Sequence, residues 1–300
     1  MSEGRLTSLL ERQRPVLLDG AMGTELQRRG VDVGLPLWSA LALRSAPDVV
    51  LQIHRDYLVA GADIITTNTF RTTSRTFRRA GVTDHSADLT RLAVMLARKA
   101  AGEVHDRPVL VAGSMAPLED CYRPDRVPPE DQLAAEHAAH AQQLAKGGVD
   151  VLLLETMGTI REARAACCAA AATGKEVVVS FLCTPEGDLY GGESIIDAVH
   201  ALGALGVTAF SLNCISPYFL QPALSALLTA TTLPCAVYAN VGRAGEEHGG
   251  TLMQDVTVEE YTRFVQTWVR QGVAIVGGCC GTTPSYLEAV KKSLAATQPG

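Results

Sequence analysis

Eight short apolar runs, most rich in β-branched residues and separated by stretches of helical periodicity, limit this chain's fold more than any other feature. They are PVLLDG (15–20), ADIITTNT (62–69), VLVAGSM (109–115), VDVLLLET (149–156), EVVVSFLC (176–183), TAFSLNC (208–214), LPCAVYAN (233–240) and VAIVGGCC (273–280). Most are continuously apolar rather than alternating, the pattern of parallel strands covered on both faces. ADLTRLAVMLARKAAGE and PEDQLAAEHAAHAQQLAKGG lie between them; the second opens on Pro and acids and closes on Gly147–Gly148, the expected start and stop chemistry of a helix. Eight strands alternating with helices over 300 residues predict an α/β fold, a single (β/α)8 (TIM) barrel domain over 1–300. A doubly wound open sheet competes, but DGAMGTEL after the first strand lacks the three-glycine phosphate fingerprint. The longest irregular stretch, 116–131, is expected to be a lid after the third strand.

Charge and end sequences exclude several classes of partner. Lys plus Arg number 26 against 32 Asp plus Glu, a net charge of −6 with no basic stripe, which argues against nucleic acid and anionic membrane surfaces. The start, MSEGRLTSLLERQRP, is charged and amphipathic without a signal-peptide core, and no apolar run is long enough for a membrane span. A cytoplasmic protein acting on small molecules, as monomer or homodimer, is therefore expected. In a reducing compartment its eight cysteines should be free thiols, metal ligands or catalytic groups rather than staples.

In a barrel of this kind, the catalytic groups sit where the strands end. Here the apolar runs end in Asp19–Gly20, Thr67–Asn68–Thr69, Ser114, Glu155, Asn213–Cys214, Asn240 and Cys279–Cys280. Adjacent side chains on a strand point to opposite faces, so two neighbouring cysteines reach one point only if the backbone turns; Gly277–Gly278 and Gly281 supply that freedom. With Cys214 across the rim, three soft thiolates and one open position describe a catalytic zinc site. The other reading is a pair of inert buried thiols, and spacing does not separate the two. Cys167–Cys168, inside an alanine-rich helical stretch, are read as packing residues, and Cys121, Cys183 and Cys235 as packing or loop residues. Taken alone, Asp19 reads more readily as a helix cap and Glu155 as a salt-bridged rim residue than as binding groups.

The stretches LLDGAMGTELQRRG, GADIITTNTF, AGSMAP, LLLETM, SLNCISP and VGGCCGTTP, in that order between residues 17 and 284, resemble the zinc-dependent homocysteine S-methyltransferases. The resemblance implies Zn2+ on Cys214, Cys279 and Cys280. It also implies an acceptor ammonium held by Asp19 and Glu155, and an acceptor carboxylate on the Ala21 and Met22 amides. Gly20, Thr67, Asn68, Ser114 and Asn213 complete the expected substrate-binding set; Asn213 and Asn240 are expected to orient ligands and loops. The activity implied is methyl transfer to homocysteine, giving methionine, with selenocysteine or another small thiol as alternative acceptor.

The expected donor is a sulfonium, S-methylmethionine first and S-adenosylmethionine second. Where the betaine enzyme of the family carries donor-site tyrosines, this chain has Arg71 and Thr156, which counts against betaine. A corrinoid donor would need a separate protein, because the cobalamin signature is absent. Trp38, in LPLWSA, matches a family tryptophan and is expected either to stack on a cationic donor or to anchor a loop. Arg71, with Arg75 and Arg123, is a candidate for a donor carboxylate or plain solvated surface. The competing functions are a barrel lyase or aldolase on a phosphorylated substrate and a non-catalytic zinc- or thiol-binding barrel. The first leaves three cysteines unexplained and finds no Schiff-base lysine on the last two strands.

Overall fold

The computed structural model describes residues 4–12, 14–243 and 253–297. Eight parallel strands form its sheet: β1 (Val16–Leu17), β2 (Ile64–Thr66), β3 (Leu110–Met115), β4 (Val151–Met157), β5 (Glu176–Phe181), β6 (Ala209–Asn213), β7 (Cys235–Ala239) and β8 (Val273–Gly278). They are hydrogen-bonded in the order β1–β8–β7–β6–β5–β4–β3–β2. A bridge between Leu18 and Ile64, with Asp19 N donating to Ile64 O at 3.0 Å and Asp63 N to Leu17 O at 2.7 Å, joins the two edges into a barrel.

All eight expected runs contain a strand, but two are much shorter than read. The first stops at Leu17 and continues as a single bridge, and the second ends at Thr66, where Asp19 takes over as partner of its amide. Helices fill the gaps between strands: Ser86–Gly102 and Glu130–Gly147 match the two quoted helical patterns, so the irregular lid segment ends at Pro129 rather than at residue 131. A two-residue antiparallel pair, Gly242–Arg243 with Met253–Gln254, stands outside the barrel and was not expected.

Period-two alternation divides each strand between two cores. Outward residues such as Val111, Leu152, Val179, Phe210 and Val237 pack under the helices. Inward residues such as Ile64, Leu110, Val151, Val178 and Ile275 fill the barrel. At the N-terminal end, the helix Arg5–Leu10 plugs the barrel with Leu6 and Leu9, both buried in the inner cluster. The Glu176 carboxylate holds that plug by accepting from Leu6 N (2.7 Å), Thr7 N (2.9 Å) and Thr7 Oγ1 (2.8 Å).

At the other end the inward positions change character. Two residues beyond Ala112, Leu153, Val178 and Ala236 come Ser114, Glu155, Ser180 and Tyr238, so apolar layers are capped by a polar one, and in β6 polar Ser211 is likewise followed by Asn213. Polar groups here have one side on the core and the other on the strand-end loops, where function is built in such barrels.

Candidate metal centre and substrate cavity

A cavity of about 420 Å³ opens at this polar end, within the range of small-molecule sites. Asp19, Gly20, Ala21, Met22, Trp38, Thr67, Asn68, Arg71, Ser114, Glu155, Asn213, Cys214, Cys279 and Cys280 all line it, while the strand-end residues Thr69 and Asn240 stand behind that lining.

The three cysteines meet. Their Sγ atoms all lie within 4.8 Å of one another, the only such His/Cys/Asp/Glu group among the described residues. Two thiolates on a tetrahedral zinc at about 2.3 Å would stand about 3.8 Å apart, so the trio fits that ion with little adjustment. Cys214 follows β6 with φ 57°, a left-handed conformation that a non-glycine residue adopts only under constraint. Cys280 N donates to Asn240 Oδ1 (3.1 Å), Cys279 N to Ala239 O (2.9 Å), and Thr282 Oγ1 to Cys279 O (2.7 Å), fixing the backbone of the adjacent pair.

The glycines serve that pair differently from expectation. Gly281 makes the turn, with φ 83°. Gly277 instead stays in β8, and a Cβ there would stand 2.7 Å from Leu18 Cβ and 2.9 Å from Asp19 O. It is glycine for close approach of two strand ends rather than for turning.

Without a cation the thiols share charge unequally. Hydrogen bonds from Cys279 and Cys280 hold the Cys214 thiol well below its ordinary pKa against burial, and the same contact with Cys214 pushes Cys279 and Cys280 well above theirs. One thiolate is thus already favoured in the trio, and a divalent ion is the natural way to ionise all three.

The carboxylates occupy another side of the cavity. Asp19 accepts from Thr66 N (2.7 Å) and Thr66 Oγ1 (2.9 Å). Burial nevertheless pushes its pKa up to about 8, and the neighbouring Glu155 charge adds to the rise. Glu155 accepts a short hydrogen bond from Ser114 Oγ, yet burial and the Cys214 charge carry it up to about 7. A cation placed beside these two acids, which burial makes reluctant to ionise, would stabilise both carboxylates.

Other expected residues line the cavity while their hydrogen bonds hold its frame. Thr67 Oγ1 accepts from Ser114 N (3.1 Å), and Asn68 Nδ2 donates to Ser39 O (2.9 Å) beside Trp38. Asn213 Oδ1 accepts from Thr156 N (3.0 Å) and Ser180 Oγ (2.7 Å). Thr156 is a second left-handed residue (φ 55°), set where β4 slips register against β5 just after Glu155. Trp38 is the third (φ 50°). The Ala21 amide already donates to Thr282 Oγ1 at 3.2 Å, which leaves Met22, at the N-cap of the helix Gly23–Arg28, as the freer amide of the expected pair.

The lid carries what sequence reading missed. Its Tyr122 hydroxyl reaches Cys214 Sγ at 3.3 Å, and its ring packs edge-on against Tyr190 at 5.4 Å. Cys121, read as a packing or loop residue, lines the cavity, and burial with the Cys214 charge pushes its thiol up to about 12. At its base, Leu118 N donates to Glu162 at 2.7 Å. Arg75 departs from the expected surface or donor role, being paired with Glu136 (2.6 Å) and Glu119 (3.1 Å), whereas Arg123 is solvated surface as read, in an exposed pair with Asp125 (2.7 Å). No pattern in the sequence links Tyr122 to a cysteine 92 positions away.

Comparison with known proteins agrees with this geometry. The profile of the homocysteine S-methyltransferase family matches residues 16–294. The homocysteine S-methyltransferase of Escherichia coli is 33% identical, the match covering 95% of this chain and 97% of that one. A selenocysteine methyltransferase of Astragalus bisulcatus is 31% identical over 99% of this chain and 98% of its own. Among solved structures, the metallated form of the homocysteine methyltransferase MmuM from E. coli superimposes with a TM-score of 0.83 at 32% identity, covering 96% of this chain and 99% of that one.

Proposed function

The chain belongs to the homocysteine S-methyltransferase family, and from that premise we propose that it moves a methyl group from a sulfonium donor to homocysteine thiolate or a related selenolate, with zinc as its metal. The observation that carries this reading is the convergence of Cys214, Cys279 and Cys280 within 4.8 Å, in one cavity with Asp19 and Glu155.

Cys214, Cys279 and Cys280 would hold the ion, which when bound supplies an acceptor sulfur already deprotonated at neutral pH, where a free thiol (pKa about 8.5) is mostly protonated. The thiol proton leaves to solvent as the acceptor binds. Asp19 and Glu155 take the acceptor's ammonium, with Ser114 and Thr66 orienting their carboxylates. The Met22 amide suits its carboxylate, as an anion at a helix start. Acceptor sulfur then forms a bond to the methyl carbon while the donor's sulfur–methyl bond breaks, and that electron pair stays on the departing thioether. The cavity contributes alignment of the three atoms, and Tyr122 shields Cys214 from water. Asn240, Asn213 and the three left-handed residues act by position: they fix the cysteines, the Glu155 bulge and Trp38.

The test is methionine formation by reduced, zinc-loaded protein given homocysteine with S-methylmethionine, S-adenosylmethionine or betaine in separate assays. Turnover with a sulfonium and not with betaine is the expected result. Turnover with betaine alone would keep the reaction and remove the sulfonium donor, and bound zinc with no turnover on any donor would leave a binding protein. Glu155→Ala should raise the homocysteine KM while zinc stays bound; loss of the metal in that variant would count against an acceptor-binding role.

A further inference from the structure

We propose that the lid side of the cavity is a clamp for the zwitterionic end of the sulfonium donor, with Arg71 taking its carboxylate and Asp120 its ammonium. The inference rests on the reaction proposed above and adds the part of the donor that is recognised.

Four arginines lie between residues 71 and 79, and three have carboxylate partners. Arg75 pairs with Glu119 and Glu136, Arg78 with Glu136 (3.4 Å), and Arg79 with Glu119. Arg71 has no ion pair among the described residues. Its guanidinium lies 5.1 Å from the centre of the Phe70 ring, and Nη1 donates only to the backbone carbonyl of Glu119 (3.2 Å). It is half-buried and lines the cavity. Asp120, also half-buried and lining the cavity, is the complement: one carboxylate oxygen accepts from Tyr122 N (3.0 Å), and no cation stands at ion-pair distance from it among the described residues, the neighbouring Arg123 being paired with Asp125.

Opposite charges in one cavity ordinarily pair with each other, and Arg71 and Asp120 do not. Both are partly open to the cavity and neither spends its charge on the other, so each keeps a face for a ligand group of opposite sign. The sign of Arg71 also bears on the donor. An unpaired guanidinium repels a bare sulfonium, whereas a sulfonium carrying a carboxylate brings the neutralising charge with it. A carboxylate suits the guanidinium fork and an ammonium suits a single carboxylate. Asp19 and Glu155, engaged with Thr66 and Ser114, remain for the acceptor.

The experiment compares four methyl donors with homocysteine held saturating: S-methylmethionine, its decarboxylated analogue (3-aminopropyl)dimethylsulfonium, its deaminated analogue 4-(dimethylsulfonio)butanoate, and dimethyl(propyl)sulfonium with neither group. Loss of the carboxylate should lower kcat/KM about 10- to 100-fold, the worth of a charge-assisted hydrogen bond, and loss of the ammonium about 10-fold. In Arg71→Gln the preference for the carboxylate should vanish, and in Asp120→Asn the preference for the ammonium, with the homocysteine KM unmoved. A merely structural role for Arg71 would lower all four donors together and leave their ratios intact, which overturns the clamp. So would an Arg71→Gln variant whose homocysteine KM rises instead. Calorimetric binding of S-methylmethionine, read without turnover, should weaken by the same factor in Arg71→Gln; equal affinity overturns the clamp while the reaction stands. Silence of the wild-type enzyme with every sulfonium overturns the reaction reading and the clamp with it.

Discussion

Two pairs of adjacent cysteines, identical in sequence, meet opposite fates in the fold. Cys167 and Cys168 sit in the helix Ile160–Ala171, where successive side chains diverge by about 100°. Cys167 is buried, with its thiol pushed up to about 12 by burial, and Cys168 points to solvent. Cys279 and Cys280 leave a strand that ends in Gly278, turn at Gly281, and bring both sulfurs to Cys214. The residue type is therefore uninformative without the backbone that carries it. A pair becomes a ligand set when the chain is released from regular geometry and pinned again by Asn240, Ala239 and Thr282.

The largest expected difference between the pairs is in metal retention. Cys214→Ser, Cys279→Ser and Cys280→Ser should each lower metal affinity by more than the about 10- to 100-fold known for losing an outer partner, with methyl transfer falling alongside. Metal content after dialysis measures it, and any one variant that keeps its metal drops out of the ligand set. Gly277→Ala probes the pinning, because its Cβ would collide with Leu18 and Asp19. A destabilisation of about 1–3 kcal/mol is expected by thermal melting, as for overpacking, and an unchanged melt would remove the close-approach argument. Asn240→Ala keeps all three sulfurs but frees Cys280; a loss of about 10- to 100-fold in zinc affinity by chelator competition is expected with the fold intact. The helical pair should be least sensitive. Cys167→Ala should cost about 1 kcal/mol from a small cavity and Cys168→Ala less than about 0.5 kcal/mol, neither touching metal content. Metal loss from either would break the contrast.

Local signals in the sequence carry most of the architecture. β3 to β8 are legible because each is a predominantly apolar run, and the period of two that sends Ala112 and Leu153 inward also sends Ser114 and Glu155 to the cavity. What resisted reading depends on contacts distant in sequence. β1 is short because Asp19 bonds Thr66, 47 residues away, instead of extending the strand. The Ala21 amide is engaged by Thr282, 261 residues away. Tyr122 and Cys121 lie in a lid of irregular backbone, whose path over the cavity has no periodicity to betray it. Thr156 carries no mark of its left-handed backbone, which arises from the β4 slip and the Asn213 side chain together.

The plug at the far end of the barrel has a kinetic consequence. With Leu6 and Leu9 filling that end and Glu176 holding their helix, the opening at the polar end is the one the described residues leave for both reactants. On the proposed reading the acceptor lies deep, against Asp19, Glu155 and the cysteines, and the donor above it beneath the lid. The acceptor must then enter ahead of the donor, and its methylated product must wait behind the spent thioether. Such a vestibule imposes an ordered, ternary-complex mechanism: initial-rate lines that intersect, and a demethylated donor that competes with fresh donor for the outer berth.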